Sequence, residues 1–283
     1  MSYRLVALDL DGTLLGPDQK ISKDNCEVLK KLHKKGVYTV VVTGRSFAAA
    51  RPYVLEMGIG DVPIVTHNGA LVKMSLSCDL LGCSPLSGET AIRAVKLATR
   101  ENIRISLSDE PHGLGRIVLD QEPMGRFLEY LKKSGSPYYL TKSFLEHLEH
   151  MSAAGKDPIH LTFSGPCKEV DSVEVLLQEQ LTGDYRFLKT AYRKRNLTMG
   201  DLVSSSVSKA SGLHEVVKHF DLSSSDVLAI GDNENDLDML RYAGKGVLMG
   251  NADQRLMEPG FELTGTNIEH GVAQALERWV LRA

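Results

Sequence analysis

The sequence predicts an α/β protein: a doubly wound, mainly parallel Rossmann-like sheet interrupted by an inserted α+β domain. Three observations carry this. Short apolar runs alternate with helical segments at both ends of the chain. The texture of the middle third is different. Acidic clusters directly follow two of the apolar runs, where ligand sites of open α/β sheets lie.

The first run, Leu5 to Leu10, reads as a strand buried on both faces. Ser22 fits the N-cap of a helix reaching about Lys35, with Val28, Leu29 and Leu32 as its apolar stripe and Gly36 at its end. Tyr38 to Thr43 is β-branched and reads as a second buried strand. Ser46 to Met57 is the next helix. Ile64 to His67 is a third strand, and Asn68-Gly69 marks a turn. This β-α-β-α-β order calls for a parallel sheet with helices on both faces.

From about Cys83 the pattern is α+β. A helix is predicted over Ser87 to Glu101, with further helical segments at Met124–Lys133 and Val170–Leu181. Strands fit Arg104–Ser108, Arg116–Leu119, Ile159–Ser164 and Tyr185–Leu188. Alternation resumes near Asn196. Lys209 to Phe220 is a helix, Val227 to Gly231 an apolar strand, and a helix follows from about Asn235. Weaker strand patterns cover Val247–Met249 and Phe261–Thr264, and Gly271 to Leu281 closes the chain as a helix. The expected organisation is a core formed by residues 1–83 and 191–283, with residues 84–190 inserted.

With 283 residues, 42% of them apolar and 24% charged, the chain is ordinary for a globular protein, which excludes a mainly disordered one. The net charge of −3 gives no polyanion-binding surface. Its densest basic stretch, Lys30-Lys31 with Lys34-Lys35, reads as a solvated helix end. No nucleic-acid partner is expected. The four cysteines, Cys26, Cys78, Cys83 and Cys167, lack metal or disulfide spacing and read as free buried thiols. No signal segment or membrane-length apolar run is seen, so a cytoplasmic protein without a membrane partner is expected, as a monomer or homodimer.

The chemistry concentrates at two strand ends. Asp9 and Asp11 close the first strand in Leu8-Asp9-Leu10-Asp11-Gly12-Thr13, and period-two geometry can point both carboxylates one way. A second cluster, Gly231-Asp232-Asn233-Glu234-Asn235-Asp236, closes another strand of the same sheet. Carboxylates converging in one crevice repel each other and resist desolvation, and a hard divalent cation relieves both costs. An all-oxygen set without His or Cys favours magnesium over zinc. The bland alternative is that each cluster is a polar turn whose acids cap helices.

These motifs resemble those of the haloacid dehalogenase-like superfamily. Asp9-Leu10-Asp11-Gly12-Thr13 matches its DxDGT signature, Thr43-Gly44-Arg45 its second motif, Lys209 its third, and Gly231 to Asp236 its fourth. Asn68-Gly69-Ala70 and the insertion between motifs two and three resemble the Cof-type phosphatases of subfamily IIB, whose α/β cap closes over the leaving group and sets specificity. The run Ser206-Val207-Ser208-Lys209-Ala210 keeps the lysine without the glycines that often flank it.

The resemblance implies a magnesium-dependent phosphatase of small, sugar phosphate-like metabolites. Asp9 would attack phosphorus and carry an aspartyl phosphate. Asp11 would protonate the leaving oxygen and then activate water. Asp9, Asp232 and the Asp11 backbone carbonyl would hold Mg2+. Leu10, Thr43, Gly44 and Lys209 would contact the phosphate, Asn235 would orient the phosphate or Lys209, and Asp236 would support the metal shell. Arg45 and Arg51 read as surface or ion-pair residues, and Met249-Gly250-Asn251-Ala252 as scaffold. His112, Arg116 and His160 are left without a role. Two alternatives stay open: a phosphotransferase or phosphomutase using the same aspartyl phosphate, and a non-catalytic metabolite-binding protein.

Overall fold

In a computed structural model of the chain, residues 3–99, 103–192 and 196–282 are described. The chain divides into two compact units, Met1–Gly82 with Ser208–Ala283, and Cys83–Val207.

The first unit begins with β1 (Leu5–Asp9), buried along its whole length. Helix α1 (Lys23–Lys34) follows; the Ser22 side chain accepts from the Asn25 amide, and Val28, Leu29 and Leu32 are buried. The helix closes where the Gly36 and Val37 amides bond back to His33 and Leu32. Next come β2 (Tyr38–Val42), α2 (Phe47–Glu56) and β3 (Pro63–Thr66). Two further strands, β4 (Leu71–Met74) and β5 (Leu80–Cys83), end the N-terminal part.

The second unit contains α3 (Gly88–Ala98), β6 (Arg104–Ser108), β7 (Ile117–Leu119), α4 (Gly125–Ser134), β8 (Tyr138–Leu140) and α5 (Phe144–Ala153). It continues with β9 (His160–Gly165), α6 (Cys167–Gln180), β10 (Tyr185–Tyr192) and β11 (Leu197–Ser204). The predicted end of the α3 helix at Glu101 lies outside the described residues. The sheet runs β10-β11-β9-β6-β7-β8. Its core joins Leu107, Leu161, Phe163 and Leu202 of the strands to Val95, Leu148 and Val173 of the helices.

The first unit resumes with α7 (Lys209–His219), β12 (Val227–Gly231), α8 (Leu237–Tyr242), β13 (Lys245–Leu248), β14 (Glu262–Leu263) and α9 (Gly271–Leu276). Residues 277–281, expected as α-helix, widen into a π-helical turn. The sheet order is β14-β13-β12-β1-β2-β3-β4-β5. β1 pairs parallel with β2 on one side and with β12 on the other. The strand order therefore reverses direction between β1 and β12, and Asp9 and Asp232 leave the sheet at that switch point. Leu5 and Ala7 pack with Leu213 and Val216 of α7 and with Leu240 of α8. Val6 and Leu8, on the other face, are equally buried, so β1 is covered on both sides.

The second boundary of the insertion differs from the expected 190/191 and falls at 207/208. The cause is β11, which the sequence reading missed. It pairs antiparallel with both β10 and β9 and so belongs to the inserted unit's sheet. Gly200 lies within it. A Cβ there would lie 2.2 Å from the Phe187 ring, which lies over the glycine from the neighbouring strand. The cysteines are free as expected, but none is fully buried: Cys83 is exposed and the other three are half-buried. Lys30, Lys31, Lys34 and Lys35 are exposed. Among the described residues, no helix is long and apolar enough to cross a membrane.

Candidate active site

Asp9 ends β1 as a buried carboxylate, and Asp232 and Asp236 follow β12. Oxygens of these three acids lie within 4.8 Å of one another. Lys209, the first residue of α7, is buried among them; its Nζ donates to Asp9 Oδ1 at 2.6 Å and to Asp236 Oδ1 at 2.5 Å. Ser208 sets this start of the helix, its side chain accepting from the Ser211 amide while Ser211 reaches back to the Ser208 amide.

Three carboxylates thus crowd around one ammonium, which bonds to two of them, Asp9 and Asp236. Burial pushes Asp9 well above the usual carboxylate range, and the charge of Asp236 adds to it; Lys209 offsets only part. Asp232 is pushed up to about 7, first by burial and then by Asp236. Burial alone would lower Lys209, but Asp236 and Asp9 outweigh it and hold the ammonium above its ordinary range. The excess negative charge on hard oxygen donors fits a divalent cation such as magnesium. The surroundings of Asp232 fit as well. Thr13 Oγ1 donates to its Oδ1 at 3.0 Å, and Asn251 Nδ2 lies 3.4 Å from its Oδ2 and 2.9 Å from the Gly12 carbonyl. These contacts orient the carboxylate as outer partners orient metal ligands.

Gly12 makes the approach of the two strand ends possible. Its φ is +87°, and a Cβ there would lie 2.2 Å from Asp232 Oδ2. Asp236 contributes from behind. Its Oδ1 holds Lys209, and its Oδ2 accepts the Asp232 and Asn233 amides at 3.0 and 2.9 Å.

Asp11 does not join the three acids. Its carboxylate is half-exposed and turned to Arg45, whose Nε donates to Oδ2 at 2.6 Å and whose Nη2 donates to Oδ1. The expected ion-pair role of Arg45 is thereby met, with the proposed acid/base as its partner. The Asp11 backbone carbonyl is left as the atom the sequence reading offers to a cation. Leu10 lies between the two acids, its carbonyl taken by the Leu15 amide.

Thr43 and Gly44 follow β2. The Thr43 hydroxyl accepts from the Arg45 amide at 3.2 Å, a local turn that leaves its O–H proton as a donor. The following helix is preceded by Ser46, so Thr43 is not its N-cap. Gly44 lies against Asn68, whose amide oxygen would be 3.0 Å from an added Cβ. Asn235 donates from Nδ2 to Asn68 Oδ1 at 3.1 Å. That bond was not foreseen; Asn235 was expected on the phosphate or on Lys209. His67, Asn68 and Gly69 all have positive φ, and their turn is buried. The His67 amide donates to the Arg45 carbonyl and the Asn68 amide to the Thr43 carbonyl. A buried, strained turn therefore links the second and fourth motifs.

The residues left without a role, His112, Arg116 and His160, all lie in the inserted unit. Arg116 forks onto the buried Asp109, which also contacts His147 Nε2 at 2.9 Å. His160 is buried beside Thr162 at 3.1 Å.

Residues 6–276 match the family of haloacid dehalogenase-like hydrolases. The chain belongs to this family. It is 26% identical over 280 residues to the HMP-PP phosphatase of Serratia proteamaculans, covering 98% of this chain and 96% of that protein. Among solved structures, a haloacid dehalogenase-like hydrolase from Bacteroides thetaiotaomicron superposes with a TM-score of 0.80 at 25% identity, covering 98% of this chain and 99% of that one. The HAD subclass IIB sugar phosphatase BT4131 shares the fold, with a TM-score of 0.75 at 20% identity over 97% of this chain and 98% of its own. The resemblance to haloacid dehalogenase-like hydrolases of the Cof type read from the motifs stands, and the enzyme class is phosphoric monoester hydrolase.

Proposed function

We propose that the protein is a magnesium-dependent phosphatase of small phosphorylated metabolites, sugar phosphates among them, working through an aspartyl phosphate on Asp9. The observation that carries this is the meeting of Asp9, Asp232, Asp236 and Lys209 at the switch point of the sheet. The reading keeps the cytoplasmic location expected from the sequence.

A phosphate monoester carries about −2 charge near neutral pH, so an attacking carboxylate meets repulsion. Asp9, Asp232 and the Asp11 carbonyl would hold magnesium, which would supply positive charge to offset it. Lys209, fastened by Asp236, adds a fixed positive charge beside the attacking oxygen. The Thr43 hydroxyl and the Gly44 and Leu10 amides hold phosphate oxygens, and the Asn235–Asn68 bond keeps that wall of the site in place.

An Asp9 oxygen bonds to phosphorus as the ester P–O bond breaks, and Asp11 gives its proton to the departing oxygen. Asp11 then takes a proton from water, whose oxygen attacks the same phosphorus and releases the Asp9 carboxylate with inorganic phosphate. The inserted unit sets leaving-group specificity in this reading. The test is turnover of 4-nitrophenyl phosphate by wild type and Asp9→Asn, with magnesium and then with chelator. Loss of turnover in the variant and on chelation is expected; unchanged turnover in Asp9→Asn rules the mechanism out.

A further inference from the structure

The Asp11 side chain is 41% exposed, so packing alone does not choose its rotamer. Arg45 does. Its planar guanidinium meets both carboxylate oxygens, Nε on Oδ2 at 2.6 Å and Nη2 on Oδ1. Arg45 is itself held from several directions. Nη2 also donates to Gln19 Oε1 at 2.6 Å, and the guanidinium carbon lies 4.9 Å from the Tyr53 ring centroid in α2. Its backbone carbonyl accepts the His67 amide. Gln19 is fixed in turn by a tight loop, in which its amide donates to the Gly16 carbonyl and the Gly16 amide to the Lys20 carbonyl. The arginine side chain is only 16% exposed.

A carboxylate offers about four acceptor positions, and this fork uses two. We infer that Arg45 is the positioning residue of Asp11, fixing its carboxylate for proton transfer while leaving the remaining positions to the leaving oxygen and to water. This rests on the reading of Asp11 as acid and base. An ion pair with one half-exposed partner adds little to stability, whereas a placed proton donor contributes about 10²–10⁴-fold in rate. The consequence of the contact is therefore kinetic and depends on the leaving group.

The experiment compares kcat/KM for phenyl phosphate and 4-nitrophenyl phosphate with magnesium. The two esters are alike in shape, but nitrophenolate departs without a proton and phenolate needs one. Arg45→Ala is expected to lose about tenfold or more on phenyl phosphate beyond its loss on the nitro ester. Asp11→Asn is expected to discriminate in the same sense, and the double variant to fall no further than Asp11→Asn. Arg45→Lys keeps the charge and much of the packing but not the fork, so it is expected to show the same selectivity in smaller measure. It serves if Arg45→Ala does not fold. Equal losses on both esters in the arginine variants, while Asp11→Asn discriminates, would overturn the positioning role. So would an Arg45→Lys variant that matches wild type on both. Absence of discrimination in Asp11→Asn would instead sink the acid assignment, and a wild type that cleaves neither ester would sink the phosphatase reading.

Discussion

Asp236 ties Lys209 to the turn after β12: one of its oxygens accepts from Lys209 Nζ at 2.5 Å, and the other accepts the Asp232 and Asn233 amides. One buried carboxylate thus fixes the lysine and the loop that carries Asp232. Asp236→Ala would leave a buried ammonium with Asp9 alone and two amides without this acceptor. Urea unfolding is expected to give a loss of about 3–5 kcal/mol, with activity falling at least tenfold. A loss under about 1 kcal/mol would mean water replaces the carboxylate at little cost.

The second prediction concerns backbone contact. Gly69 has a φ of +113°, and a Cβ on it would lie 2.0 Å from the Ser208 carbonyl oxygen, one residue before Lys209. Gly69→Ala must therefore shift either the strained turn or the start of α7. We expect a loss of about 1–3 kcal/mol in stability, and a fall in kcat/KM on 4-nitrophenyl phosphate because Lys209 moves. Wild-type kinetics in this variant would contradict the tight packing.

Magnesium gives the third. If Asp9 and Asp232 hold the ion, it binds the folded chain and not the unfolded one, so Tm rises with its concentration. Asp232→Asn is expected to remove most of that rise, and chelator to reverse it in wild type. Scanning calorimetry with and without magnesium reads this directly. An equal rise in the variant would place the ion elsewhere.

The fourth follows from His160, whose imidazole burial lowers from 6.5 to about 4. Between those pH values the unfolded chain binds the proton and the folded chain does not, so this group's contribution to stability is lost as pH falls. The size is about 3 kcal/mol over the window. Urea midpoints measured from pH 7 to pH 4 should fall less steeply in His160→Gln than in wild type. Parallel slopes would contradict a buried neutral imidazole.

Much of the architecture was legible because the central strands carry an unmixed signal. Leu5–Asp9, Tyr38–Val42 and Val227–Gly231 are short apolar runs bounded by turn residues, and all three lie where expected. The missed elements had weaker signals. β11 is exposed at Leu197 and Met199 but buried from Gly200 to Val203, so it shows neither clean alternation nor an unbroken apolar run, and every residue of the short strand β8 is exposed. Helix α5 was readable in principle, since Phe144, Leu148 and Met151 recur at helical spacing behind the Ser143 cap. In the site, the acids and the lysine announced themselves by position in their motifs. The bonds from Arg45 to Asp11 and from Asn235 to Asn68 did not, because each joins segments remote in sequence and depends on which side chains the sheet brings together. The same holds for Asp236, whose two-sided role needs Lys209 beside it.

The central claim is that Asp9 carries the phosphoryl group. It is tested most directly by quenching the enzyme in acid during turnover of 4-nitrophenyl phosphate with magnesium, reducing with borohydride, and sequencing the N-terminal peptide by mass spectrometry. Borohydride converts an aspartyl phosphate to homoserine. The account predicts homoserine at position 9 in wild type, with aspartate intact at 11, 232 and 236. Homoserine at one of those other positions, or unmodified Asp9 in an enzyme that accumulates a phosphorylated form, would contradict it.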